Sequence, residues 1–372
     1  MSLRVHDIAG FMEELAPRHL ALDWDNVGLL VGHPDALVTN LLVCLDYNQA
    51  VLQEALALQA NCILCHHPVI MKPLPSLRTD LALGALLRET LARDLQIFAA
   101  HTNLDAAAEG VNHHLARAFS LKNVRVLQQT GEDPMLKLAV FVPPSHEDAV
   151  RDALAEAGAG WIGAYSHCTF LSPGTGTFMP REGTNPFIGR RGNLERVEEL
   201  RLETILPASI KDRVLKALLA AHPYEEAAFD LYPLALEGRP AGLGLLGDLP
   251  APLALKDLAL RAKEALGVDR VKVMGEEGRT LSRMAVCGGS GGDLVGPAAA
   301  AGAQVLLTGD VKYHQAQEAG DLGLALIDAG HDATERVVLE PLAARLQERI
   351  AGLGHDNRVF PSSTDTSCWK FI

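Results

Sequence analysis

Four stretches of this 372-residue chain place metal-ligating side chains directly after short apolar runs. They are His66-His67, closed by Pro68; His101-Thr102-Asn103-Leu104-Asp105; Asp310 through His314; and His331 through Glu335. His101 and Asp105, Asp310 and His314, and His331 and Glu335 are each four residues apart. On a helix such pairs share one face about 5–6 Å apart, close enough to grip one ion. A single pair of this kind also fits a solvated helix face. Four clusters, all at strand ends, predict one shared site. Imidazole and carboxylate together suit Zn, Fe, Mn, Co or Ni with no thiolate required. Six ligands (His66, His67, His101, Asp105, His331 and Glu335) exceed what one tetrahedral zinc takes. They suffice for two divalent ions about 3.5–4 Å apart if a carboxylate, Glu335 or Asp105, bridges them. Asp310 and His314 are then expected just outside, orienting ligands or moving protons. A turn and a capped helix start is the plainer reading of that last pair.

The elements that must hold these residues alternate. Residues 41–45, 62–65 and 96–100 read as strands, with helices over 49–59 and 81–94 between them. Residues 305–308 and 324–328 repeat the pattern later, with strands also over 271–274 and 283–287 and helices over 255–266, 294–301 and from 334 to 350. Strands alternating with helices across short connections predict parallel pairing, and such sheets bind ligands at the carboxyl ends of their strands. Cys62 and Cys65 form a CxxC, but alternation along a strand sends the two sulfurs to opposite faces, so they read as small buried hydrophobes. An amphipathic helix is expected over 4–16. Residues 23–32 (DWDNVGLLVG) are a polar turn entering a strand, either a strand edge with a packed Trp24 or a loop lining the site. Gly288-Gly289-Ser290-Gly291-Gly292-Asp293 could open a helix and offer N–H groups to a phosphate, but a plain tight turn explains it as well.

Near residue 130 the texture changes. Strands over 136–142, 161–170, 175–180, 196–207 and 228–234, with helices over 146–157 and 210–221, resemble a ferredoxin-like unit. Residues 181–193 are expected to be an exposed loop. Because four of the six ligands precede this segment and two follow it, residues 1–130 and 240–372 are expected to form one discontinuous, layered α/β body, with 131–239 inserted. The tail from 362 carries Trp369 as an expected apolar anchor.

Length argues for two or three domains. A formal net charge of −13 argues against extended nucleic acid as partner, though not against one phosphate-bearing small molecule in a metal-filled pocket. No apolar leader or long apolar run is visible, and six scattered cysteines point to a reducing, cytoplasmic setting rather than a disulfide framework or a membrane.

Together, WDNVGLLVG (24–32), HHP (66–68), HTNLD (101–105), TGDVKYH (308–314) and GHDATE (330–335) resemble the motif set of the dinuclear-metal-centre hexameric family, the NGG-interacting-factor-three-like proteins also called GTP cyclohydrolase 1 type 2 homologues. The motifs span nearly the whole chain. The resemblance implies a toroidal homohexamer with two metal ions per subunit, held by His66, His67, His101, Asp105, His331 and Glu335. It also likens the insertion, with its HPYEEAAFDLYPL ending (222–234), to a PII/CutA-like domain. Asp332 lies where members vary and carries no role. Three functions fit: a metal-dependent hydrolase of a nucleotide or similar small molecule, a metallophosphatase or phosphodiesterase, and a non-enzymatic metal store, chaperone or scaffold.

Overall fold

The structure is a computed structural model that describes residues 2–369. It divides into two compact units: Met1–Gly131 with Ala241–Ile372, and Glu132–Pro240.

The first unit holds two sheets. One has the strand order Gly28–Val31, Gln96–Ala99, Cys62–Cys65, Leu41–Cys44, Val359–Pro361. Its first pair is antiparallel and the rest are parallel. The other has the order Lys272–Met274, Ala325–Asp328, Val305–Gly309, Thr280–Ser290, Arg239–Ala254, Lys122–Asp133, with a parallel centre. Leu41–Cys44, Cys62–Cys65, Gln96–Ala99, Val305–Gly309 and Ala325–Asp328 are buried along their whole length, as strands covered on both faces must be. Cys62 and Cys65 pack into different apolar clusters, one on each face of their sheet. Burial pushes both thiols up to about 12, so neither is a thiolate ligand in waiting.

Local departures from the sequence reading have local causes. The helix expected from 334 to 350 is two helices, His331–Arg336 and Leu339–Gly352. Trp369 is 77% exposed and anchors nothing. In the second unit, the two strands expected over 161–170 and 175–180 are one strand, Thr169–Phe178. It lies at the sheet edge, where Pro173 costs no interior hydrogen bond.

That second unit reads Met135–Val142, helix Glu147–Glu156, Thr169–Phe178, Glu195–Pro207, helix Lys211–Ala221, Phe229–Pro233. Its sheet order places the first strand between the third and fourth, with every pair antiparallel. This is the ferredoxin-like βαββαβ arrangement. The core is formed where Leu138, Val140, Val142, Leu202 and Leu206 meet Val150, Leu154, Val214 and Leu218 of the two helices. Among the described residues, no helix is long and apolar enough to cross a membrane.

Candidate metal centre

The carboxyl ends of the parallel strands deliver the candidate residues. His66 and His67 follow Cys62–Cys65, where the strand gives way to a bend before Pro68. His101 follows Gln96–Ala99 and precedes the short helix Thr102–Ala106, which carries Asp105. His331 opens the helix carrying Glu335, just after Ala325–Asp328. Within that helix His331 Nε2 lies 3.1 Å from Glu335 Oε1, so the four-residue spacing does bring the two together.

The six residues converge. Their ligand atoms form three overlapping groups, each with all atoms within 4.8 Å of one another: His66, His67 and His101; His67, His331 and Glu335; His66, Asp105 and Glu335. His66 and Glu335 are 2% and 3% exposed, whereas His67 and His331 sit on the open side. Each imidazole is held from behind. His66 Nδ1 donates to the Ala100 carbonyl at 2.8 Å, His67 Nδ1 to Asp46 at 2.8 Å, His101 Nδ1 to Asp25 at 2.9 Å, and His331 Nδ1 to Asp310 at 2.8 Å. These partners only accept, so the proton is fixed on Nδ1 and the Nε2 lone pair faces inward. His66 Nε2, His67 Nε2, Asp105 Oδ1 and Glu335 Oε2 are all buried with no hydrogen-bond partner. Buried polar atoms are rarely left this way unless something else satisfies them. A cation fits this donor set in number and kind.

The electrostatics agree. Burial alone would lower the His67 pKa, but the carboxylates of Asp46 and Glu335 beside it raise it to about 10. The Glu335 carboxylate raises His331 to about 9. Burial pushes Asp105 up to about 6 against the pull of His66. Glu335, despite a burial that opposes ionisation, is held well below the carboxylate range by the imidazoles around it. The centre is therefore a buried negative charge that requires positive charge beside it. Protons on the imidazoles supply this when no ion is bound, and metal binding displaces them.

Asp310 and His314 do not meet as their four-residue spacing predicts. Asp310 takes a left-handed backbone (φ +54°), ahead of the helix Tyr313–Asp321, so the two share no helical face. Asp310 turns to His331, while His314 is exposed and its Nδ1 faces Gln317 at 3.1 Å. The Gly288–Asp293 stretch is no phosphate cradle. The N–H groups of Gly288, Gly289 and Gly291 already donate to Asn112, Thr334 and Thr308. Its glycines instead make room: a Cβ on Gly289 (φ +63°) would fall 2.2 Å from Glu335 Oε1.

Asp46 and Asn112 had no distinct signal in sequence, whereas Asp25 lies in the 23–32 stretch that could line the site. Asp46 and Asp25 orient His67 and His101, and Asp25 also accepts the Thr102 N–H at 3.0 Å. The loop around Asp25 lines the centre: Trp24, 60% exposed, sets its ring 6.0 Å from that of His101, edge-on. Asn112, 2% exposed, donates to the Asp105 carbonyl and accepts from Gly288, tying the two chain halves at the centre.

Comparison with known proteins gives the family. The family model for Duf34/NIF3 (NGG1p interacting factor 3) matches residues 3–367. The chain belongs to the Duf34/NIF3 family. Curated relatives include the GTP cyclohydrolase 1 type 2 homologs of Halalkalibacterium halodurans, 44% identical over 97% of this chain and 96% of the relative, and of Bacillus subtilis, 40% identical over 100% and 99%. A crystal structure of a Bacillus cereus protein related to NIF3 superposes with a TM-score of 0.84 at 42% identity, covering 100% of both chains. The converging residues of this Duf34/NIF3 chain thus lie within a fold and a family shared along nearly its entire length.

Proposed function

We propose that this Duf34/NIF3 protein binds two divalent metal ions through His66, His67, His101, Asp105, His331 and Glu335, and hydrolyses a nucleotide or a related small molecule with them. The observation that carries the reading is the inward convergence of four oriented imidazoles and two carboxylates whose buried ligand atoms lack other partners. Bound there, two such ions would supply Lewis-acid chemistry, acidifying water and neutralising charge that develops on the substrate. The chain's own residues do the rest. Glu335 belongs to two of the three ligand groups, so it is the carboxylate placed to be shared between ions. Asp46, Asp25 and Asp310 fix the rings. Asp310, on the open side, is also positioned to take up a proton. The exposed Trp24 ring offers a flat apolar surface beside His101.

The name its relatives bear makes GTP the first substrate to try. Products separate the chemistries: formate or a ring-opened purine means cyclohydrolase action, and free phosphate means phosphoester cleavage. The open side, with the His331 side chain 36% accessible, favours turnover over a closed store. We further propose a toroidal homohexamer and a cytoplasmic location; all six cysteines are unpaired. The test is elemental analysis with a nucleotide hydrolysis screen. About two equivalents of metal per chain in the wild type, falling to one or none in Glu335→Ala, with turnover lost in parallel, supports the proposal. No turnover by fully loaded protein would leave the storage or scaffold reading, and an unchanged metal content in the variant would dissolve the shared site.

A further inference from the structure

The inserted unit has a cavity of its own, about 670 Å³. The helices cover the sheet face that carries Leu200 and Leu202, and alternation along the strand puts Glu199 and Arg201 on the other face, where the cavity lies. Its floor is the edge pair Thr169–Phe178 and Glu195–Pro207, with Gly174 opposite Glu199 in register. Glycine keeps that floor clear. A Cβ on Gly174 would meet nothing within 4 Å, and one on Gly176 would fall 2.0 Å from the Glu199 carboxylate. The walls are aromatic: the rings of Phe178 and Phe187 stand 6.1 and 6.2 Å from that of Tyr224. Phe187 comes from the segment that reads as an exposed loop in sequence. That segment is held over the cavity where the Asn185 N–H donates to Glu225 at 2.9 Å.

Two polar groups face this apolar space. Glu199 is 8% exposed, and among the described residues no Lys or Arg pairs with it; the neighbouring Arg201 turns to Glu203 at 2.8 Å. The Tyr224 hydroxyl is buried beside the Glu199 carboxylate with no other partner, and burial together with that carboxylate pushes its pKa up. A buried polar group left unsatisfied is costly, so the Tyr224 hydroxyl in a preformed cavity marks where a ligand bonds. A carboxylate only accepts, so the ligand must donate, and a second donor matches its second oxygen. The aromatic walls suit a flat ring.

We propose that this cavity binds a planar nitrogen heterocycle with adjacent N–H donors, of the guanine, pterin or 2-aminopyrimidinone type. The donor pair meets Glu199, the Tyr224 hydroxyl meets the neighbouring ring acceptor, and Phe187 covers the ring. The site is separate from the metal cluster and does not depend on its function.

Calorimetric titration of the full-length protein with guanosine, pterin and isocytosine tests it. One guanosine is expected per chain, with inosine, which lacks one donor, weaker by about tenfold. Glu199→Gln should weaken guanosine by about tenfold or more, and Tyr224→Phe less. Gly174→Val, whose side chain enters open space, should abolish binding at an unchanged melting temperature. Glu335→Ala, which disables the metal cluster, should leave it intact. Three results would each overturn the proposal. One is that none of the three rings binds at millimolar concentration. Another is binding that survives Glu199→Gln and Gly174→Val unchanged, or that disappears in Glu335→Ala, which would place guanosine at the metal cluster. The third is a change of oligomer size in Gly174→Val without ring binding, which would make the cavity a contact between copies of this chain.

Discussion

At the scale of single residues, the centre is built by acceptors behind the imidazoles as much as by the groups that converge. Asp46, Asp25 and Asp310 each hold one Nδ1–H, which fixes both the ring and its tautomer. Removing such a partner ordinarily costs 10–100-fold in metal affinity while leaving the ligands in place. Asp46→Ala is therefore expected to weaken metal binding by about 10–100-fold, read by competition with a chelator, with the oligomer size unchanged. Thr366 gives Asp46 a second hydrogen bond at 2.6 Å, so Thr366→Val should produce a smaller loss in the same direction. Gly289→Ala is a sharper test of space. Its methyl would enter the Glu335 carboxylate on a left-handed backbone, so metal content should fall although no ligand was changed.

At the scale of elements, the short helices at the centre are too brief to stand alone. Thr102–Ala106 is five residues long and is held by side chains distant in sequence. Asp25 receives its first N–H, and Asn103 both accepts the His101 N–H and donates to the Ala16 carbonyl. Asn112 locks the same segment to Gly288. Asn112→Ala should leave two partly buried backbone groups unpaired and lower unfolding stability by about 1–3 kcal/mol, measured in urea. In the inserted unit, His222 accepts the Tyr224 N–H on Nδ1 and donates from Nε2 to the Phe141 carbonyl, so it must be neutral. Burial holds its pKa below the usual 6.5. As pH falls, the unfolded chain takes up this proton first, so the contribution is complete above about 6.5 and is lost progressively below it. The stability difference between the wild type and His222→Gln should thus shrink between pH 7 and pH 5; a difference that grows would refute the assignment.

At the scale of the whole molecule, the inserted segment leaves and re-enters through neighbouring strands. Lys122–Asp133 and Arg239–Ala254 lie side by side at the edge of the six-stranded sheet, and a Cβ on Gly242 would touch the backbone at Gln128 and Gln129. The second unit has its own apolar core, so neither unit needs the other to bury its interior. Replacing residues 132–240 with a short turn is expected to yield a folded protein that keeps its full metal content and loses only the guanosine site. Chelator treatment of the intact protein should lower its melting temperature, because an ion bound only by the folded state stabilises that state.

How much of this was legible in sequence follows from what sequence encodes. Apolar runs broken by His, Asp and Glu marked the strand ends, because burial on both faces demands such runs and a ligand must sit where they stop. Those residue types alone grouped the six side chains that the structure brings together. The ferredoxin-like order was legible from alternation, apart from one strand divided in error at Pro173. Sequence carries no distinct signal for Asp46 and Asn112, since each is defined by a partner 21 or 176 residues away. The four-residue spacing of Asp310 and His314 does not bring them together, because it means proximity only inside a helix and Asp310 is left-handed ahead of one. Glycines that could have cradled a phosphate instead make room for Glu335 and for packed side chains, because backbone donors go to whichever acceptor the tertiary fold brings nearest. The chemistry of the centre was thus fixed by residue type along the chain, and its geometry by long-range packing that no local pattern records.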